Sequence, residues 1–325
     1  FHRWARERHE HLGLRTADDN LEVINRDLPF FARAYLRILE ASRTYTRGLE
    51  PVFYNAHNDF TWQNTVLLAP LVTSDNEDIV RRKLAAMATY LDIWIMRRAA
   101  NYVRVTYSST AYAMFILCRD LRRKPLNDLI DALHKKLAED EVTFRGATNK
   151  NRTGIAGFGI NVFSRRYVFH LLARLTAFTD VGSGKPDLFD KYVDRTPKNP
   201  FDIEHVWAND YEPYKSEFTT PDEFQRWRNH VAGLLLLPAD VNRSYKDKPF
   251  EQKAPHYAKH NLYAASLTPS AYEHQPQFEA FRSRLQLPFK AYTKFGKTEQ
   301  EERRSLLEKL VEEIWSPKRL EEYRP

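Results

Sequence analysis

Four consecutive leucines, Leu234 to Leu237, stand between Gly233 and Pro238. The run is too short for a helix and has no polar face, so it reads as a fully buried strand. Upstream, Asp202-Ile203-Glu204-His205-Val206-Trp207 alternates about Ile203 as a short strand does. Between the two, Thr220 and Pro221 open a helix with Phe224, Trp227 and Val231 on one face. Downstream, Asp240 can cap a new helix that carries Asn242 and Arg243 in its first turn. Lys246, Phe250 and Lys253 follow. Phe201 to Tyr257 is thus predicted as strand, strand, helix.

The flanks are helical. From Asp18 to about Ser42, Leu21, Ile24, Leu28, Phe31, Tyr35 and Ile38 keep the three-and-four spacing of one helix face, with Pro29 at a break or an internal start. Ser74 and Glu77 form a capping-box pattern ahead of the apolar face Ile79, Leu84, Met87, Leu91, Trp94 and Ile95. Further helices are expected over about Ser108 to Arg123, from Pro125 to about Glu139, and from Asn161 to Phe178. Thr298 and Glu301 make a second capping box before Leu306, Leu307, Leu310, Val311 and Ile314. The fold class is therefore mainly α with a small α+β core. We expect a helical domain over 1–141 and a second domain over 142–325, with C-terminal helices finishing the chain.

With 325 residues, 42% of them hydrophobic, the chain has apolar material for about two domains. One cysteine, Cys118, excludes an internal disulfide framework and a cysteine-based zinc cage, and fits a reducing cytoplasm. No apolar run approaches the ~20 residues of a membrane span. The first residue is Phe1, and Phe1 to Thr16 resembles neither a signal nor a transit peptide, so the chain reads as part of a longer one. A net charge of +7 suggests an anionic partner, nucleic acid first. From Val142 to Thr179 there are six Lys or Arg residues and no Asp or Glu, whereas Arg195 to His260 holds ten of each sign. The flanking stretch, with Arg165 and Arg166, is the better candidate for holding a polyanion. Two phosphate motifs fail: Gly184-Lys185 is followed by Pro186, and the glycines at 154, 157 and 159 run in the reverse order of a dinucleotide fingerprint.

Strand with Glu-His, strand, then helix with Asn is the layout of a ββα-metal nuclease site. A phosphodiester resists attack through its charge and its poor leaving group. A hard ion such as Mg²⁺ or Mn²⁺ takes oxygen ligands, which Glu204 and Asn242 offer, with Asp202 as a further carboxylate that orients or binds. A neutral imidazole on His205 can take the proton from the attacking water. Arg243, Lys246 and Lys253 are candidates for phosphate contact, as are Arg165 and Arg166. Adjacent strand residues face opposite ways, so Glu204 and His205 can meet one site only at a strand end or bulge.

Ile203-Glu204-His205-Val206, Gly233-Leu234-Leu235-Leu236-Leu237, Asn242, Phe250 and Lys253 resemble the C-terminal HNH nuclease domain of GmrSD-type restriction proteins. The Asp-x-Glu-His and Asn-Arg pattern is also similar to the HNH domain of RNA-guided Cas nucleases. The resemblance covers about 55 residues. It implies a metal-dependent DNA endonuclease, nicking or cutting both strands of phage or modified DNA, as the effector half of a prokaryotic defence protein of SspE-like or BrxU-like plan. It also implies an N-terminal sensor and nucleotide-binding domain with an Asp-Gly-Gln-Gln-Arg motif, which is absent here. Two positions depart from the family pattern. Its Pro three residues after the histidine is Ala208, and its Asn after the glycine is Leu234, whose polar role falls to Asn229 or His230 if it is kept.

Other readings stay open. A helical module with a degenerate site could bind DNA or a partner without cutting, and an RNA-cleaving toxin would carry similar residues. His256 and His260 have the spacing of a zinc pair but lack a metalloprotease glutamate. His170 is read as a core residue, and the Trp and Tyr residues of the N-terminal helices as core.

Overall fold

The computed structural model describes residues 2–11, 13–148, 151–245, 247–273 and 275–325. It is mainly helical, and among the described residues its strands form two small antiparallel sheets. The chain divides into two compact units. One is made of Phe1–Asp92, Val105–Glu139 and Pro317–Pro325, the other of Ile93–Arg104 and Asp140–Ser316.

In the first unit the expected N-terminal face is interrupted. The helix Ala17–Glu22 passes through a π turn, Val23–Asp27, into the helix Leu28–Arg43 with Pro29 in its first turn. The Leu28 N–H reaches back five residues to the Val23 carbonyl, which slips the phase of the stripe. Ala34, Ile38 and Ala41 are buried, but Leu21, Ile24 and Leu28 are each more than half exposed, so that part of the expected core face is surface. Tyr107 and Tyr112 are exposed too, against the expectation that the aromatics here are core.

The helix Glu77–Ala100 is capped by Asn76, whose Oδ1 accepts the Ile79 N–H at 2.9 Å, and not by the Ser74–Glu77 box. Neighbouring Asp75 is taken by Lys83, buried at 2.7 Å. Within this unit residues 83–92 of the helix are all buried, as a helix packed on every side must be. Tyr107–Leu121 starts at Thr106, and Leu126–Ala138 follows Pro125 and buries Leu126, Leu129, Ile130, Leu133 and Leu137. Among the described residues no helix is long and apolar enough to cross a membrane.

The second unit is built round the predicted strands. Phe201–His205 pairs antiparallel with Leu234–Pro238, setting Glu204 opposite Leu235 and His205 opposite Leu234. All four leucines are buried to within 1%. The intervening helix Pro221–Arg228 is capped by Thr220 Oγ1, which accepts the Glu223 N–H at 3.1 Å. Ala239–Tyr245 is the third part of the ββα arrangement. The helix Arg165–Gly182 packs on the leucine strand. It begins four residues later than its periodicity suggests, because Asn161 and Ser164 close a turn ahead of it. The helix Lys297–Ile314 starts at Gly296, where Glu299 accepts the Gly296 N–H at 2.8 Å; the Thr298–Glu301 box is not formed.

Candidate active site

Glu204 and His205 close the strand Phe201–His205, and one cation is bonded to both. Lys253 donates to Glu204 Oε1 and to the His205 carbonyl, both at 2.7 Å. Tyr257 donates to the same Oε1 at 3.3 Å. Glu204 Oε2 makes no hydrogen bond to a described residue. Burial pushes the Glu204 carboxyl up, and the Lys253 ammonium pulls it back. Lys253 is 1% exposed. This corrects its expected role: it is an internal counter-ion to Glu204, with no surface left for a phosphate.

The His205 ring sits beside Asn229, Nε2 to Oδ1 at 3.1 Å. An amide oxygen only accepts, so Nε2 carries the proton of the neutral ring and Nδ1 keeps its lone pair. Burial, reinforced by the positive charge of Arg228, pushes the imidazole down to about 4. At neutral pH it is an uncharged base. Leu234, at the position where the resemblance expects an asparagine, is wholly buried, and the amide beside the histidine comes from Asn229. His230 is held elsewhere: its Nε2 donates to the Ala156 carbonyl at 3.1 Å and its Nδ1 accepts from the Ala232 N–H.

Asn242 lies in the first turn of Ala239–Tyr245, and its Nδ2 donates to the Ile203 carbonyl at 2.9 Å. Its Oδ1 makes no hydrogen bond to a described residue. Asp202, on the Glu204 side of the strand, pairs with Arg165 at 3.0 Å and accepts the Ile203 N–H. Arg165, expected at phosphate, is thus bound to an expected ligand, although its side chain stays 59% exposed. Arg166 and Arg243 are exposed. Lys246 lies outside the described residues. His256 belongs to the helix Phe250–Tyr257 and His260 follows its end, so the two do not share a helix face. His170 is buried, edge-on to Phe189, as a core residue should be.

The sequence reading missed Arg228. Its Nε donates to the carbonyls of Trp207 and Ala208, at 3.3 and 3.2 Å, and its charge is felt by both Glu204 and His205. Its place at the end of Pro221–Arg228, directly before Asn229, was the available signal. Tyr245 was missed as well. Its buried hydroxyl has no hydrogen-bond partner among the described residues, and burial together with the Glu204 charge pushes it up to about 12.

The donor set suits a hard divalent ion. Glu204 Oε2 and Asn242 Oδ1 are oxygens left over after the other polar atom of each side chain is fixed, and Mg²⁺ commonly takes one or two carboxylates and completes its shell with water. Among the described residues no group of three His, Cys, Asp or Glu side chains gathers as a metal cage. A site here would depend on the amide and on water.

The comparison with known families points to a nuclease of the restriction-endonuclease type. Residues 149–310 match the family model of GmrSD restriction endonucleases, C-terminal domain, and through this segment the chain belongs to that family. No curated protein and no solved structure matches it.

Proposed function

We propose that the chain is an HNH-type, Mg²⁺- or Mn²⁺-dependent DNA endonuclease. It would serve as the effector part of a cytoplasmic restriction or phage-defence protein whose sensing and nucleotide-binding part is a separate domain. The nuclease domain is assigned to 142–325. The observation that carries this reading is the neutral His205 ring, held by Asn229 at the end of a strand that also bears Glu204 and receives Asn242.

In the reaction, His205 Nδ1 takes a proton from water as the water oxygen attacks phosphorus. The new P–O bond forms as the bond to the departing sugar oxygen breaks. Asn229 holds the ring while it gains charge. Glu204, Asn242 and Asp202 would hold the divalent ion, which supplies stabilisation of negative charge on the phosphoryl group and on the leaving oxygen. Lys253 fixes Glu204 so that one oxygen remains for that purpose. Arg228 adds a fixed positive charge beside the base, and Arg243, Arg166 and Lys246 serve the DNA backbone.

A plasmid-nicking assay with Mg²⁺ or Mn²⁺ tests this. His205→Ala should lower the rate by about 10²- to 10⁴-fold with the fold intact; cleavage equal to the parent's would sink the assignment. The same assay with RNA in competition separates a DNA enzyme from an RNA-cleaving toxin. The Glu204–Lys253 pair also supports a second reading, a DNA-binding module without catalysis, because the lysine already neutralises the carboxylate. Metal titration decides: Mn²⁺ binding lost in Asn242→Ala favours the enzyme, and no binding in the parent favours the module.

A further inference from the structure

The most exposed large apolar side chains among the described residues are Val162 at 91% and Phe163 at 88%. They form the tip of a closed turn. Asn161 Oδ1 accepts the N–H groups of Phe163 and Ser164 at 2.8 and 2.9 Å, and Ser164 Oγ accepts the Asn161 N–H and donates to the Gly159 carbonyl. Ser164 itself is buried. The tip is therefore rigid, and ordering it against a ligand costs little conformational entropy.

Both ends of the turn are fastened to candidate-site residues. On one side the Ile160 N–H donates to the Asn229 carbonyl at 2.7 Å, and Asn229 holds the His205 ring. Gly159 makes this approach possible, since a Cβ there would lie 2.6 Å from the Asn229 carbonyl oxygen. On the other side Arg165 pairs with Asp202. Two apolar side chains thus stand in water on a turn bonded to Asn229, the residue that holds the candidate base. They stand in a stretch of the chain, Val142 to Thr179, that has six basic residues and no acids.

We propose that Val162 and Phe163 form a wedge that inserts into the base stack of bound DNA next to the bond to be cut, with Arg165 and Arg166 on the flanking backbone. Apolar wedges of this kind unstack a base step and bend the duplex, and an aromatic ring stacks on any base without reading sequence. The inference rests on the nuclease reading for its substrate. It adds that the duplex is deformed at the site of cutting.

The test uses the full chain with Ca²⁺ in place of Mg²⁺ and a duplex carrying 2-aminopurine instead of adenine along one strand. The parent should raise 2-aminopurine fluorescence as bases unstack. Val162→Ala with Phe163→Ala should abolish the rise and weaken binding about tenfold, with the salt dependence unchanged because no phosphate contact is lost. Both side chains are exposed, so the thermal midpoint should stay at the parent's value. A double variant with the parent's fluorescence response and affinity would overturn the wedge. Plasmid cleavage is scored separately. A parent that cuts without any fluorescence rise overturns the wedge alone, while one that gives the rise but never cuts supports the wedge and overturns the nuclease reading.

Discussion

Lys253 Nζ lies 2.7 Å from Glu204 Oε1, with the two side chains 2% and 5% exposed. A buried pair of this kind is costly to break from one side, because the remaining charge is stranded without water. Lys253→Met alone should lose about 3–5 kcal/mol of stability in a urea titration. Lys253→Met combined with Glu204→Gln should recover much of that loss. Equal destabilisation in the single and double variants would show that packing, not charge, is what Lys253 contributes.

Asn229 fixes the ring of His205 and touches no substrate atom, which makes it a positioning residue. Asn229→Ala should lower the cleavage rate by about tenfold, less than His205→Ala does, with KM little changed. Asn229→Asp offers the same acceptor with added negative charge, so it should keep the ring in place and raise the pH of the acidic limb. A limb at the same pH as the parent's would remove Asn229 from the neighbourhood of the base.

His230 gives the pH dependence of stability a clear sign. Burial, aided by the Arg304 charge, pushes its imidazole down to about 3, so it stays neutral in the folded chain. The unfolded chain takes up the proton as pH falls below ~6.5. Stability is therefore full above that pH and is lost as pH falls from ~6.5 towards 3, by about 2 kcal/mol at pH 5. The slope of stability against pH between 7 and 5 should be shallower in His230→Gln. An unchanged slope would mean that another group carries the acid lability.

Salt dependence separates surface cations from internal ones. Arg243→Gln and Arg166→Gln should each reduce the slope of log K against log salt for DNA binding by about 0.9. Lys253→Met should leave the slope as it is, since that ammonium is spent on Glu204. The measurement is fluorescence anisotropy on a short duplex between 50 and 200 mM salt.

The strands, the Thr220 cap and the helix bearing Asn242 were legible because each is written in a few adjacent residues. The leucine run permits little but burial, and Thr220-Pro221 is a local start signal. Partners far apart in the chain were not legible. Lys253 reads as a phosphate contact from the sequence, and its carboxylate lies 49 residues upstream. Asn229 and Arg228 converge on His205 only after the strand and helix have packed. The misplaced caps fail for another reason. Asn76 and Gly296 stand close to plausible capping residues, and tertiary packing, not the local pattern, selects among them. The N-terminal stripe shows how a single π turn changes which side of a helix meets the core.

Position 242 has to anchor a short helix and offer an oxygen at once. The helix Ala239–Tyr245 has seven residues, too few to persist without anchoring. One end of the Asn242 amide moors it to the Ile203 carbonyl, and the other end leaves an oxygen to spare. Aspartate would bring a stronger oxygen but no hydrogen to give, and would set a negative charge against a carbonyl. Histidine could donate from one nitrogen but would present nitrogen, not oxygen, at the other. The mooring and the vacant oxygen are two halves of one planar group, so mutation cannot tune either without disturbing the other.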